Sequence, residues 1–271
     1  IEKLYLDFEY NKFETAQRDL LRIPGMPIAY WLSDKFTSTF STSTSFNQHF
    51  AAKQGLATGN NDRFVRFWYE TNWRDVDLTQ TRSDEFTSEK KWFPYSKGGE
   101  ARKWYGNHDL MILWSNNGEP LKEFKDAEGN RLSTLKNLSF MFRPAITWSL
   151  TSISGILCTR FRPSGFVFDT NGMSAFSLDS GVREEFGVAL LNSRFAQETL
   201  KVLNPTMAFQ SGDIDRVPVP SGVEALASNT PAAALIEIGK SDWDAYETSW
   251  DFTTLPLLSP ENLGQTLADC Y

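Results

Sequence analysis

At 271 residues, 41% of them hydrophobic and 14% aromatic, the chain is globular in composition and can bury a substantial core, as one large domain or as a domain with an appendage. Two distant cysteines, Cys158 and Cys270, with no CxxC, suggest neither a disulfide framework nor a thiolate zinc site. A net charge of −7 argues against a uniformly basic, polyanion-binding surface.

The acidity is local. Residues 221–271 hold one cation, Lys240, against eight carboxylates, which leaves the first 220 residues neutral. Within that neutral part, the stretch Lys90 to Asn107, "KKWFPYSKGGEARKWYGN", interleaves five cations with five aromatic rings around one carboxylate and a Gly-Gly pair. Ring faces beside guanidinium and ammonium groups suit stacked or anionic ligands, so nucleic acid is the first candidate.

Along the chain, Phe13, Ala16, Leu20 and Leu21 stand at helical spacing before a Pro-Gly stop, and "PIAYWLS" reads as a strand. The opening has no signal-peptide core and no stretch reaches the apolar length of a membrane span, so a cytoplasmic protein is expected; an initial Ile suggests a piece of something longer. "TSTFSTSTSF" is hydroxyl-rich, but its Phe rhythm leaves a helical turn open. From Gly55 to Pro220 short β-prone runs, "RFVRFWYE", "LMILWS", "AITWSL", "ILCTRFR" and "GFVFD", alternate with turn chemistry. One helix is expected near Leu135 to Phe142, and a longer one over "REEFGVALLNSRFAQETLKVL", with an apolar stripe of Phe186, Leu190, Leu191, Phe195 and Leu200. In the tail, "PAAALIEIGKSDWDAYETSW" reads as a helix docking through Ala233, Ile236, Trp243 and Tyr246. The whole is an α+β pattern: a mixed β-sheet with packed helices and a C-terminal helical tail, divided as a 1–50 lead-in, a 51–220 domain and a 221–271 acidic tail.

Catalytic motifs come close without completing. Asn204-Pro205-Thr206-Met207 begins like the Asn-Pro-Pro-aromatic motif of amino-methyltransferases but lacks the second Pro and the ring, and reads as a helix terminator. Gly239-Lys240-Ser241 lacks the first Gly of a P-loop and is followed by carboxylates. Asp84, Glu89 and Lys91 have the spacing of a nuclease half-site, a pattern that any solvated loop produces, and His49 and His108 form no metal-ligand pair.

Three segments have binding character. In "GLATGNNDRFVRFWYE", Thr58, Asn60 and Asn61 offer hydroxyl and amide groups and Arg63 a charge, or else the segment is a capped turn. In the basic aromatic stretch, Lys97, Arg102, Lys103 and Tyr105 supply charge and stacking, or else a solvated loop anchored by buried rings. In "AITWSLTSISGILCTRFRPSGFVFDTNGMSAF", read as a hairpin and a third strand, Trp148, Ser149, Ser152, Arg160 and Arg162 alternate with apolar positions, which lines one face with polar groups or gives the solvent side of a sheet.

In this order, "GLATGNNDRFVRFW", "KWFPYSKGGEARKWYGN", "ITWSLTSISGILCTRFRPSGFVFD" and "LLNSRFAQETLKVLNPTMAFQSGDIDRVPVP" resemble the C-terminal target-recognition domain of the PglX family, the adenine-specific DNA methyltransferases of BREX phage-defence systems. The last segment is also similar to the end of recognition domains in type I specificity subunits, and the plan to type IIG restriction-modification enzymes. The resemblance implies double-stranded DNA as partner and a methyltransferase domain in the same polypeptide. That domain would carry the S-adenosylmethionine site, and no cofactor is expected in this chain. It further implies phosphate contacts from Arg63, Lys97, Arg102 and Lys103, and base-edge readout from Asn60, Asn61, Ser149 and Arg160. The alternative is a protein-interaction module, in which the acidic tail or the aromatic loop docks other defence proteins or a phage inhibitor.

Overall fold

The computed structural model of the chain describes residues 16–178, 181–222 and 231–260, and the fold is α+β. Phe13 and part of the tail lie outside these residues. The lead-in begins with a helical turn, α1 (Gln17–Leu20). "PIAYWLS" is not the expected strand: Pro27 removes a donor, and the backbone closes turns instead, Ala29 N–H donating to Pro27 at 2.9 Å and Leu32 N–H to Ala29 at 3.3 Å.

Helix α2 (Asp34–Thr42) forms from the hydroxyl-rich run. Ser33 caps it, its Oγ accepting from Phe36 N–H at 3.3 Å. Thr37, Ser38, Thr39, Ser41 and Thr42 turn their hydroxyls back onto carbonyls of the preceding turn, which neutralises their competition with the helix. Phe36 and Phe40 then share one face, and Phe36 meets Phe195 at 6.0 Å.

Two four-stranded sheets carry the rest. In the first, β2 (Phe50–Lys53), β9 (Gly172–Ser177), β6 (Ala145–Ser149) and β7 (Thr159–Arg162) lie side by side, all antiparallel. In the second, β3 (Val65–Phe67), β5 (Leu110–Leu113), β4 (Trp92–Ser96) and β8 (Val167–Phe168) are ordered so that only the β4–β8 pair is parallel. A two-residue ribbon joins β1 (Thr44–Ser45) to β10 (Pro218–Val219). The sheets meet where β8 runs through residues 169–171 into β9. There Tyr95 Oη donates to Asp169, and the hydroxyls of Ser96 and Thr147 bond at 3.2 Å.

The expected long helix is two. Helices α4 (Glu184–Asn192) and α5 (Arg194–Leu203) are separated by Ser193, extended at φ −68°, ψ 154°, whose Oγ accepts from Ala196 N–H at 3.2 Å. A serine that caps the second helix ends the first, while Phe186, Leu190, Leu191 and Leu200 all enter the core against Phe50, Ile146 and Trp148. A second core gathers Phe64, Phe93, Tyr95, Trp114, Phe142 and Phe168 under the other sheet. The helix expected near Leu135 to Phe142 is only a turn over Leu138–Phe140, because Asn137 and Phe142 adopt left-handed φ of 51° and 68°.

The body also holds short helices α3 (Asn61–Phe64) and α6 (Ser211–Ile214) and a helical segment over Ser115–Lys122 that is kinked at Asn116, Asn117 and Gly118. Helix α7 (Ala232–Asp244) forms as expected and buries Ile236 and Trp243; its first docking residue is Ala232 rather than Ala233, and Tyr246 lies beyond its end, exposed. No helix among the described residues is long and apolar enough to cross a membrane.

Candidate functional site

The loop from Lys97 to Asp109, between β4 and β5, is held from three sides by its own carbonyls. From β7, Arg160 Nη2 donates to Gly98 at 3.3 Å and Nη1 to Arg102 at 3.2 Å and Glu100 at 3.5 Å. From β6, Ser149 Oγ donates to Gly99 at 2.8 Å, and Asn107 Nδ2 donates to Gly98 and Glu100 at 3.1 and 2.9 Å. Gly98 itself sits at φ 96°, and a Cβ there would lie 3.0 Å from the carbonyl oxygen of Asn171.

Arg160 and Arg162 follow each other on the same face of β7, and both are buried. Alternation leaves open a polar-lined face or the solvent side of a sheet, and the solvent side does not hold for these two. The first sheet is instead covered on both faces: α4 receives Thr159 Oγ1 at the carbonyl of Val188, and the loop and the rings of Phe166, Phe168 and Phe176 cover the arginines. Burial pushes the Arg160 pKa down to about 10 and that of Arg162 to about 9, so both stay charged at neutral pH. Among the described residues neither forms an ion pair; carbonyl oxygens, the Ser174 hydroxyl at 2.9 Å and ring faces balance the charge. His108 is buried beside them between Tyr105 and Phe166, and burial, reinforced by the two guanidinium groups, holds it neutral with a pKa well below the usual histidine value.

The second half of the loop is a dock for the tail. Tyr105 packs with Ile236 and Trp243 of α7, with Trp104 and Phe161 alongside. Arg102 lies 5.1 Å from the Trp243 ring, donates to the carbonyl of Tyr105 at 2.9 Å and pairs with Asp242. Trp68 Nε1 bonds the carbonyl of Thr248 at 3.0 Å, which continues the contact beyond the helix. Burial, then the nearby carboxylates of Asp244, Asp251 and Glu237, raise the Tyr105 hydroxyl above its usual range.

The first half faces outward. Lys97 shares a cleft of about 410 Å³ with Asn61, Arg66, Phe67 and Glu70. Asn60 Oδ1 caps α3 by accepting from Arg63 N–H at 3.0 Å, and Asn61 Oδ1 accepts from buried Thr58 Oγ1 at 2.8 Å. Both side-chain oxygens are thus engaged and both amide groups remain on exposed residues as donors. Arg63, also exposed, lies 5.2 and 5.0 Å from the rings of Phe64 and Phe124. On the other side of Gly98–Gly99, a cleft of about 450 Å³ opens between the loop and the β6–β7 connection, lined by Glu100, Ser149, Ser152, Ile153, Ile156 and Cys158.

Of the sequence-derived candidates, Asn61 and Lys97 line one cleft and Ser149 the other, Asn60 is exposed next to Asn61, and Lys103 is exposed farther along the loop. Thr58, Tyr105 and Arg160 are buried, and Arg102 is engaged by the tail; these four hold backbone and neighbours rather than face solvent. Composition left unnoticed Asn171, exposed beside Gly98, and Ile153, 95% exposed at the tip of the β6–β7 connection; an apolar residue inside "TSISG" was the available signal.

The incomplete motifs have structural work. Asn204 Nδ2 bonds the carbonyl of Ala208 and Asp213 as α5 ends, Lys240 pairs with Asp244 at 2.5 Å, and Asp84 pairs with Arg82 at 2.6 Å. Among the described residues no three His, Cys, Asp or Glu side chains are grouped to hold a metal ion.

No family model matches the chain. It is 38% identical over 254 residues to the adenine-specific methyltransferase PglX of Lacticaseibacillus casei (strain Zhang), covering 91% of this chain and 20% of that protein. It is 34% identical over 248 residues to the adenine-specific methyltransferase BrxX of Escherichia coli O9:H4 (strain HS), covering 90% and 19%. The chain spans about a fifth of the length of the curated relatives it matches, and over nearly all of its own length it is homologous to one part of the PglX-type adenine-specific methyltransferases.

Proposed function

We propose that this chain is the DNA target-recognition module of an adenine-N6 methyltransferase in a BREX-like phage-defence system. The observation that carries the reading is the pair of clefts beside the loop at Gly98–Gly99, one lined by Asn61 and Lys97 and the other by Ser149, on a loop whose carbonyls are held from inside by Arg160. Fixed geometry is what base readout requires, because a hydrogen bond to a base edge discriminates only if its donor cannot follow the wrong edge. Asn60 and Asn61, with their oxygens already used, would donate to phosphate or base acceptors, and Lys97, Lys103 and Arg63 would neutralise phosphates.

In this reading residues 51–220 form the recognition domain, 1–50 its lead-in and 221–271 a tail that braces the loop through Trp243. The remaining four-fifths of a PglX-length protein would bind S-adenosylmethionine, which supplies the methyl group, and receive the adenine once it leaves the stack. To that covalent partner we assign the exposed apolar run of Leu21, Met26, Ile28 and Trp31.

Selection of duplexes from a randomised pool by the purified chain, at two salt concentrations, tests the reading. An enriched short motif with salt-sensitive affinity supports it; binding absent even at low salt removes it. A second reading, docking of another defence protein or a phage inhibitor on the tail, is favoured by exposed Ile238 and Tyr246 on an acidic surface. A tail deletion that abolishes a protein complex while sparing DNA selection would support it.

A further inference from the structure

We propose that Ile153 is a specificity-determining residue that reads the C5-methyl group of a thymine, an inference that rests on the DNA-recognition reading above. Ile153 is 95% exposed, more than any other large hydrophobic residue described. It stands at the tip of a turn closed by Gly155 N–H donating to the carbonyl of Ser152 at 3.1 Å.

The stem under that turn is rigid. Leu150 N–H donates to Asn171 at 2.8 Å, Ser152 N–H to Met207 at 2.9 Å, and Phe209 N–H to Leu150 at 2.7 Å. On the returning side the Gln197 amide bonds both backbone groups of Leu157 at 3.0 Å. Three segments, the residues after β8, α5 and the stretch Met207–Phe209 after it, thus bond the two sides of the turn that holds out one β-branched apolar side chain whose rotamer is itself restricted.

Such a group has a defined counterpart on duplex DNA. Major-groove edges are donors and acceptors except for the thymine methyl, the one apolar feature by which a base pair is told apart. Ser152 and Ser154 flank Ile153 with hydroxyls that bond each other at 3.0 Å and can turn to neighbouring base edges. The cleft at the foot of the turn opens toward Glu100 and Ser149, so the turn borders the same surface as the glycine loop. A protein partner would equally cover an exposed isoleucine, but it would be indifferent to a methyl group on a base.

The test uses the whole chain, wild type and Ile153→Ser, on a duplex selected by the wild type from a random pool. Each thymine of the selected motif is replaced in turn by uracil, which lacks only the methyl group. At one position uracil should weaken wild-type binding about fourfold, the worth of one buried methyl group, and leave Ile153→Ser unaffected. An Ile153→Ala chain should behave as Ile153→Ser does. Because the residue is exposed, both variants should melt with the wild type. Equal responses of wild type and variant to every uracil, or a selected motif without thymine, would overturn the proposal while leaving DNA recognition standing. A wild-type chain that selects no duplex at all would remove the DNA reading and this inference with it.

Discussion

Arg160, buried on β7, donates through Nη2 to the carbonyl of Gly98 at 3.3 Å, so a charge in the interior sets the path of a loop at the surface. Arg160→Lys keeps the charge but loses the fork that spans Gly98, Glu100 and Arg102, leaving at least one carbonyl without its donor. We expect a loss of about 1–3 kcal/mol in denaturant unfolding and faster amide exchange across residues 98–102. Exchange unchanged in that loop would show that Ser149 and Asn107 suffice to hold it.

His108 makes stability fall in acid. Its folded pKa lies well below the usual value, so below about pH 6.5 the unfolded chain binds a proton that the folded chain refuses, and stability decreases as pH drops by up to about 1.4 kcal/mol per unit for this one group. His108→Leu should flatten the stability profile between about pH 5 and 6.5 relative to the wild type. Identical slopes in paired urea titrations would place the acid sensitivity elsewhere.

Two contacts between the loop and the tail differ greatly in weight. The Arg102–Asp242 pair is partly exposed, and Asp242→Asn should cost no more than about 1 kcal/mol, less at high salt. Trp243 is buried against Tyr105 and Gly106, and Trp243→Ala should cost about 3–5 kcal/mol. Proteolysis should then cut between residues 231 and 260 at protease levels that leave the wild type and Asp242→Asn intact.

Lys97 borders the outward cleft with no ion pair among the described residues. In the DNA reading, Lys97→Ala should weaken binding to all duplexes alike and reduce the salt slope by about one unit, without changing the selected motif. A changed motif would assign Lys97 to a base edge instead.

The element types were legible where local chemistry and packing agree. The β-prone runs became β3 and β5 to β8, the apolar face of the tail helix docks, and the Phe rhythm of "TSTFSTSTSF" forms α2 because the hydroxyls find acceptors one turn back. The reading failed where one residue decides: Ser193 divides a helix of unbroken apolar stripe, and left-handed Asn137 and Phe142 stop another before it starts.

By itself the sequence determined the α+β class, the separation of a neutral body from an acidic tail, and the PglX resemblance that nine-tenths of its length supports. Tertiary structure alone decided which cations face outward. Arg160 and Lys97 are both basic residues in polar, aromatic surroundings, and nothing local distinguishes them. One lies on a sheet covered on both faces, where only backbone carbonyls can satisfy it; the other stands one residue beyond the end of β4, where water, or a phosphate, can. Burial depends on what packs across from a strand, and that partner is set by residues far away in the chain.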